Sequence, residues 1–156
     1  MTTSTRSVRE VMSAPAITVG PDATTEEIIQ CLLSNNISGV PVVDGNERVL
    51  GVVTESDLVL SVAYGTRDRR ALALVAEIIE GRPAPWVDLL SAHRARDLMT
   101  RDVVVVGPDD DVADAARRML RRRCRRLPVV CDGRIVGIVS RHDILRQFDV
   151  VTGAPV

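Results

Sequence analysis

The sequence contains no lysine: all 20 of its Lys-or-Arg positions are arginine, and the other basic residues are His93 and His142. Chemistry that needs a lysine, such as Schiff-base formation or the phosphate grip of a P-loop, is therefore excluded. Aromatic residues are almost as scarce, with only Tyr64, Trp86 and Phe148 in 156 residues. That weighs against a protein that stacks single-stranded bases on a platform of rings. No apolar run approaches the roughly 18 residues of a membrane span, and the opening MTTSTRSVREVM has no hydrophobic region of the signal-peptide kind. Cys31, Cys124 and Cys131 form neither a CxxC pair nor an even-numbered set, so no disulfide framework is expected. These absences point to a soluble, cytoplasmic protein. The missing lysines, in a chain rich in alanine and valine, point first to genomic base composition.

What is present is a globular mixture, 46% apolar and 26% charged, with length for one ordinary domain or two very small ones. The net charge of −1 gives no global attraction to polyanions. The charge is unevenly spread, however. Residues 1–78 hold six arginines against ten acids, a net of −4, and residues 79–156 hold fourteen against eleven, a net of +3.

An internal repeat organises the chain. Met12 matches Met99, Gly20-Pro21-Asp22 matches Gly107-Pro108-Asp109, and Pro41-Val42-Val43 matches Pro128-Val129-Val130, all 87 residues apart. After one extra residue in the first copy's turn the spacing becomes 86, matching Gly51 with Gly137 and Asp57 with Asp143. One copy of about 54 residues would be marginal alone, so the two should share a core.

Each copy has the same pattern. A short β segment (Ile17–Val19; Val103–Val106) runs to Gly-Pro, and a helix follows with Thr24 or Asp111 as N-cap and an acid three residues on. Ile28, Ile29, Leu32 and Leu33 recur at helical spacing, as do Ala115, Ala116, Met119 and Leu120. Two apolar runs around Asp-Gly then predict a hairpin, Val40–Val43 with Val49–Val53 and Leu127–Val130 with Ile135–Val139. Thr54 or Ser140 opens a closing helix, which makes the unit β-α-β-β-α, twice. Between the copies, 69–80 reads as a helix stopped by Gly81 and Pro83, followed by an extended apolar stretch around Trp86. That stretch suits packing over an exposed edge or docking a partner.

The VMS and LMT openings, the PVV strands after SGVP-like and RRLP approaches, and the GVVT-x-x-D and GIVS-x-x-D endings resemble a tandem pair of cystathionine-β-synthase (CBS) domains. The resemblance implies an α+β fold of two repeats, 8–62 and 95–148, packed as a pseudo-twofold pair, with a connecting segment 63–94 and a tail 149–156. It also implies two clefts between the repeats that bind adenine nucleotides or related adenosyl ligands, pairing into disc-like homodimers, and regulation of a partner protein in place of catalysis. AMP, ADP, ATP and S-adenosylmethionine are the ligands it suggests, as regulatory molecules and not as required cofactors.

The residues supply chemistry for such clefts. Thr54-x-x-Asp57 and Ser140-x-x-Asp143 read as capping boxes at helix starts. They also read as ligand contacts, because an ionised aspartate offers two acceptor oxygens to a ribose cis-diol. The hydroxyls and free helix N–H groups beside them suit phosphate oxygens. For adenine, the candidates are Gly39-Val40-Pro41 and Arg126-Leu127-Pro128, where proline removes a donor and leaves neighbouring backbone groups available. The family pattern adds Thr18 and Val105. The copies differ in charge: Ser38-Gly39 becomes Arg125-Arg126, and Glu55 becomes Arg141. Guanidinium favours phosphate, so the Ser140–Asp143 cleft is expected to bind nucleotide more tightly and the Thr54–Asp57 cleft weakly or not at all.

Seven arginines lie in residues 117–126, five of them in a stripe formed by Arg117, Arg118, Arg121, Arg122 and Arg125. A solvated face, a dock for an acidic partner and a nucleic-acid footprint are the three readings, and no DNA-reading helix supports the last. His93 and His142 are remote from any cysteine pair with zinc-ligand spacing. Cys31 and Cys124 read as near-core thiols and Cys131 as the more accessible one. No nucleophile–base set supports an enzyme. The alternative to a ligand sensor is an interaction module with empty clefts, docking through the linker or the arginine-rich helix.

Overall fold

The computed structural model describes residues 6–64 and 93–149, excepting the side chains of residues 60, 62–64, 148 and 149. The expected linker helix, Trp86, most of the connecting segment and the tail after residue 149 lie outside the described residues, as do the Tyr64 and Phe148 side chains. The described elements, in chain order, are α1 (Val8–Val11), α2 (Thr25–Asn35), β1 (Gly39–Val43), β2 (Val49–Thr54), α3 (Glu55–Tyr64), α4 (Ala95–Leu98), α5 (Val112–Arg121), β3 (Arg126–Cys131), β4 (Arg134–Ser140) and α6 (Arg141–Asp149). Among the described residues, no helix is long and apolar enough to cross a membrane.

The chain divides into two compact units, and their composition is not that of the repeats. Among the described residues, one unit contains 18–45, 50–64 and 93–101; the other contains 6–17, 46–49 and 102–149. The leading segment of each repeat therefore belongs to the unit built on the other repeat. In the second unit Val8 and Val11 of α1 join Val106, Ala115, Met119, Leu127, Val129 and Val139 in one core. In the first unit Ala95 of α4 joins Ile28, Leu32, Val40, Val42, Val53 and Leu58.

Backbone groups explain why these short segments hold their places. A four-residue helix leaves its first N–H groups without partners inside the helix. The proline carbonyl of the Gly-Pro-Asp turn and the carbonyl of the residue after it supply them: Val8 N–H donates to Asp110 (2.8 Å) and Arg9 N–H to Pro108 (2.8 Å). The first unit repeats the pattern, with Ala95 N–H on Ala23 (2.9 Å) and Arg96 N–H on Pro21 (3.0 Å). Ion pairs Arg9–Asp109 and Arg96–Asp22 lie over the same joints, but both are exposed and contribute little. Ser7 caps α1, and its backbone N–H and hydroxyl hold the Glu10 carboxyl below the ordinary glutamate value.

Beyond each short helix the segment pairs with the outer edge of a hairpin. Ser13 and Ile138 exchange both backbone hydrogen bonds (2.8 and 2.9 Å), and so do Thr100 and Val52 (2.9 and 3.0 Å). This approach requires glycine opposite. A Cβ on Gly137 would lie 2.7 Å from Met12 Sδ and 2.8 Å from the Ser13 carbonyl; one on Gly51 would lie 2.7 Å from Met99 Sδ and 2.8 Å from the Thr100 carbonyl. The methionines that mark the repeat are thus the side chains lying over these glycines.

The rest of each unit follows the predicted order, with differences. The expected strands 17–19 and 103–106 are reduced to single parallel bridges, Val19 with Val42 and Val106 with Val129. β3 and β4 pair antiparallel through a two-residue turn in which Asp132 (φ 51°) and Gly133 (φ 77°) are both left-handed, the primed geometry that suits strand twist. Thr24 forms its capping box with Glu27, whereas Asp111 accepts from Ala113 N–H and Asp114 pairs instead with Arg117. Leu33 and Leu120 do not join the cores: they are 74% and 70% exposed. The core-facing positions of the two helices are Ile28 with Leu32 and Ala115 with Met119.

Both long first helices end in a left-handed residue, Asn36 (φ 50°) and Arg123 (φ 52°). In each, two N–H groups fold back on the last turn, Ile37 to Leu32 (3.0 Å) and Cys124 to Met119 (3.0 Å) among them, the hydrogen-bond pattern of a Schellman ending. Asparagine tolerates this conformation; arginine carries a steric cost of roughly 1–2 kcal/mol.

Two outcomes are expected in thermal or urea denaturation. Gly137→Ala should lower stability by about 1–3 kcal/mol, because the carbonyl of Ser13 cannot retreat without breaking its edge pairing. Arg123→Gly should raise stability, by up to about 1 kcal/mol after the entropy gained by the unfolded chain.

Candidate functional site

Each set of predicted site residues falls inside one unit. In the first unit the backbone N–H of Glu55 donates to the Ser38 carbonyl (3.0 Å), drawing the start of α3 against the approach to β1. In the second unit Arg141 N–H donates to the Arg125 carbonyl in the same way (2.9 Å). β3 and β4 then bring Arg126 opposite Ser140.

The two Thr/Ser-x-x-Asp segments are capping boxes with the same hydrogen bonds. Asp57 Oδ2 accepts from the Thr54 backbone N–H (2.8 Å) and hydroxyl (2.9 Å), and Thr54 Oγ1 accepts from Asp57 N–H (3.3 Å). Asp143 Oδ2 accepts from Ser140 N–H (2.8 Å) and hydroxyl (2.7 Å), and Ser140 Oγ accepts from Asp143 N–H (3.2 Å). One carboxylate oxygen is thus committed to the cap in each unit. The other, Oδ1, has no protein partner among the described residues. The two-oxygen clasp expected for a ribose diol is therefore reduced to one available oxygen, held in a fixed direction by the cap.

The strand residues are less available than their sequence suggests. Val40, Pro41, Leu127 and Pro128 are buried. The proline carbonyls are not free, because Pro41 accepts from Val19 N–H (3.0 Å) and Pro128 from Val106 N–H (3.1 Å). The same bridges that replace the first strands occupy them. Thr18 is half-buried and Val105 is more open. The Thr18 carbonyl accepts no hydrogen bond among the described residues, whereas the Val105 carbonyl is taken by Arg118 Nη1 at 2.8 Å. Arg118, whose other nitrogen pairs with Asp110 (3.3 Å), is a site neighbour that the sequence reading assigned only to the arginine stripe. Its distance of 13 residues from Val105 gives no local signal. Gln147 was also missed: it donates to the Asp143 carbonyl (3.1 Å) and accepts from Arg6.

Six of the seven arginines of the run, all but Arg126, separate into two groups. Arg117, Arg118 and Arg122 pair with Asp114, Asp110 and Asp102. Arg121, Arg123 and Arg125 are exposed and have no partner among the described residues. Arg141 donates through Nε to the Cys124 carbonyl (3.2 Å), and its two terminal nitrogens, beside Ser140, have no partner among the described residues. His142 is exposed. No cluster of three or more His, Cys, Asp or Glu side chains suitable for a metal occurs among the described residues. All three cysteines are unpaired and half-buried, and burial pushes the Cys124 thiol above its ordinary value.

Gly39 and Thr54 fit as a pair. A Cβ at Gly39 would sit 3.3 Å from the Thr54 methyl and 3.3 Å from the Val53 carbonyl. The second unit has Arg126 at the matching place and Ser140, which lacks the methyl, opposite it.

Two units of this kind, each closed by a helix that begins on a Thr/Ser–Asp box, define the class of tandem α+β repeat modules. The CBS domain profile matches residues 8–64 and 95–149, and the chain belongs to the CBS domain family. An uncharacterised protein of Methanocaldococcus jannaschii is 33% identical over 153 residues, covering 90% of each chain. Of a second relative from that organism, also 33% identical, the chain spans only 41% of the length. Among solved structures, the CBS domain pair of protein MJ0100 in complex with 5′-methylthioadenosine and S-adenosyl-L-methionine matches with a TM-score of 0.69 and 25% identity, covering 95% of this chain and 99% of that one. CBSX2 in complex with AMP matches with a TM-score of 0.72 and 27% identity, covering 94% and 98%. CBSX2 is a chloroplastic protein of Arabidopsis thaliana.

Gly39→Ala should destabilise the protein by about 1 kcal/mol or more, and Thr54→Ser in the same chain should recover most of that loss. Denaturation of the single and double variants measures the coupling.

Proposed function

We propose that this protein is a regulatory module, not an enzyme, which binds an adenine nucleotide or related adenosyl ligand and modulates a partner protein. The single observation that carries the reading is the paired boxes, Thr54–Asp57 and Ser140–Asp143. Each holds its carboxylate by Oδ2 and leaves Oδ1 to accept from a ligand hydroxyl. That two related CBS pairs were solved with AMP and with adenosyl thioether and sulfonium compounds supports the choice of ligand class. In this reading Oδ1 takes a ribose hydroxyl, the backbone N–H of Ser56 or His142, the helix-start donor that the cap bonds leave over among the described residues, faces the group carried beyond the ribose, and the buried strand residues beside Val40 and Leu127 form the apolar wall for the base. Ligand binding favours one arrangement of the module over others, and the partner responds to that shift in population. A homodimer in the cytoplasm is the assembly and location that go with this role.

A second reading has its own observation: Arg121, Arg123 and Arg125, exposed and without a partner among the described residues, suit an interaction module that docks an acidic partner without any ligand. Thermal denaturation against AMP, ADP, ATP, S-adenosylmethionine and NAD separates the two. A bound ligand at 100 times its Kd should stabilise the protein by about 2.7 kcal/mol, and Asp57→Ala together with Asp143→Ala should abolish the effect. No shift with any of the five compounds would overturn the sensor reading in favour of docking.

A further inference from the structure

The repeats place oppositely charged side chains at the same point beside otherwise identical boxes. Glu55 and Arg141 are the first residues of α3 and α6, both exposed, and each is fixed by its backbone N–H to the carbonyl of residue 38 or 125. Glu55 has no partner among the described residues, so the Thr54–Asp57 box is bordered by an uncompensated carboxylate. The Ser140–Asp143 box is bordered by the Arg141 guanidinium, aimed along the 124–126 approach by its bond to the Cys124 carbonyl, and by Arg125, whose side chain has no partner among the described residues. The base-side backbone differs as well. The Thr18 carbonyl has no partner among the described residues and suits an exocyclic amine, while Arg118 occupies that of Val105.

We propose that the two boxes take different ligands. The Thr54–Asp57 box takes an adenosyl compound without phosphate, neutral or positively charged beyond the ribose, such as a thioether or sulfonium. The Ser140–Asp143 box takes a phosphorylated adenine nucleotide. The inference rests on the adenosyl reading above and replaces the expectation that the first box is weak or empty. A phosphate dianion beside Glu55 meets repulsion that Ser38 and Gly39 carry no charge to offset, whereas a sulfonium or ammonium group meets attraction. Beside Arg125 and Arg141 the signs reverse, and guanidinium adds charge-assisted hydrogen bonds to phosphate oxygens.

Isothermal calorimetry on the full chain with AMP and with S-adenosylmethionine tests this, using Glu55→Arg and Arg141→Glu. Each substitution installs the residue that the other repeat already carries at that place, and circular dichroism verifies folding. Wild type should bind about one equivalent of each ligand without mutual competition. Arg141→Glu should weaken AMP roughly tenfold or more and leave S-adenosylmethionine unchanged. Glu55→Arg should weaken S-adenosylmethionine roughly tenfold and raise the AMP stoichiometry towards two. A variant-free measurement accompanies these: with wild type, AMP and S-adenosylmethionine should each lose affinity as salt rises, while neutral adenosine should not. Competition of the two ligands for one site, or affinities unmoved by both substitutions, would overturn the division of ligands and leave the adenosyl reading standing. If neither ligand binds wild type, this inference falls, and the adenosyl reading falls with it when ADP, ATP and NAD fail to bind as well.

Discussion

The structure depends on the pairing of each repeat's leading segment with the hairpin edge of the other repeat's unit. Four backbone hydrogen bonds, two at Ser13–Ile138 and two at Thr100–Val52, close edges that would otherwise present unpaired N–H and C=O groups to solvent. Gly137 and Gly51 let that happen, since nothing larger fits beneath Met12 and Met99. The pairing also delivers Val8 and Ala95 into cores that lack them otherwise. A βαββα unit of this size buries too little apolar surface to be secure alone, and the borrowed segment contributes both core and edge.

On that shared scaffold the two copies have been free to diverge where the backbone does not require identity. The cap bonds, the turn carbonyls under the short helices and the glycines at the edges are kept in both units. The side chains at the first position of the closing helix, at the approach to the central hairpin strand and on the outer face of the long helix are not. Gly39 with Thr54, against Arg126 with Ser140, shows a compensated exchange: bulk lost on one strand is regained on its neighbour. The charge differences cluster around the two boxes and on α5, so they alter what each unit meets in solution without disturbing what holds it together.

Much of the architecture was readable because repeat landmarks have backbone causes. Gly-Pro-Asp recurs where its proline carbonyl receives a helix start, and Gly51 and Gly137 recur because a methionine lies over them. A single alignment of the chain with itself exposes such positions. It does not expose which copy a segment packs against, so the exchange of leading segments was invisible to local pattern. Helical periodicity likewise misplaced Leu33 and Leu120, because four apolar residues in two adjacent pairs span a wider arc than the one facing the core. At the sites, the sequence marked the aspartates but not the loss of one oxygen to the cap. It marked the prolines but not the bridges from Val19 and Val106 that use their carbonyls. Arg118 came to the Val105 carbonyl through tertiary packing alone.

The exchange of leading segments bears on how such a chain arises. A lone repeat would fold with its own hairpin edge bare and its leading strand without a receptor, a deficit only a neighbouring molecule could make good. Two separate copies trading segments would satisfy each other completely. Joining their genes would turn that reciprocal loan between molecules into an internal one, with the intervening segment as the seam. Seen this way, the tandem duplication preserves within one polypeptide a partnership that a single repeat could form only with another chain.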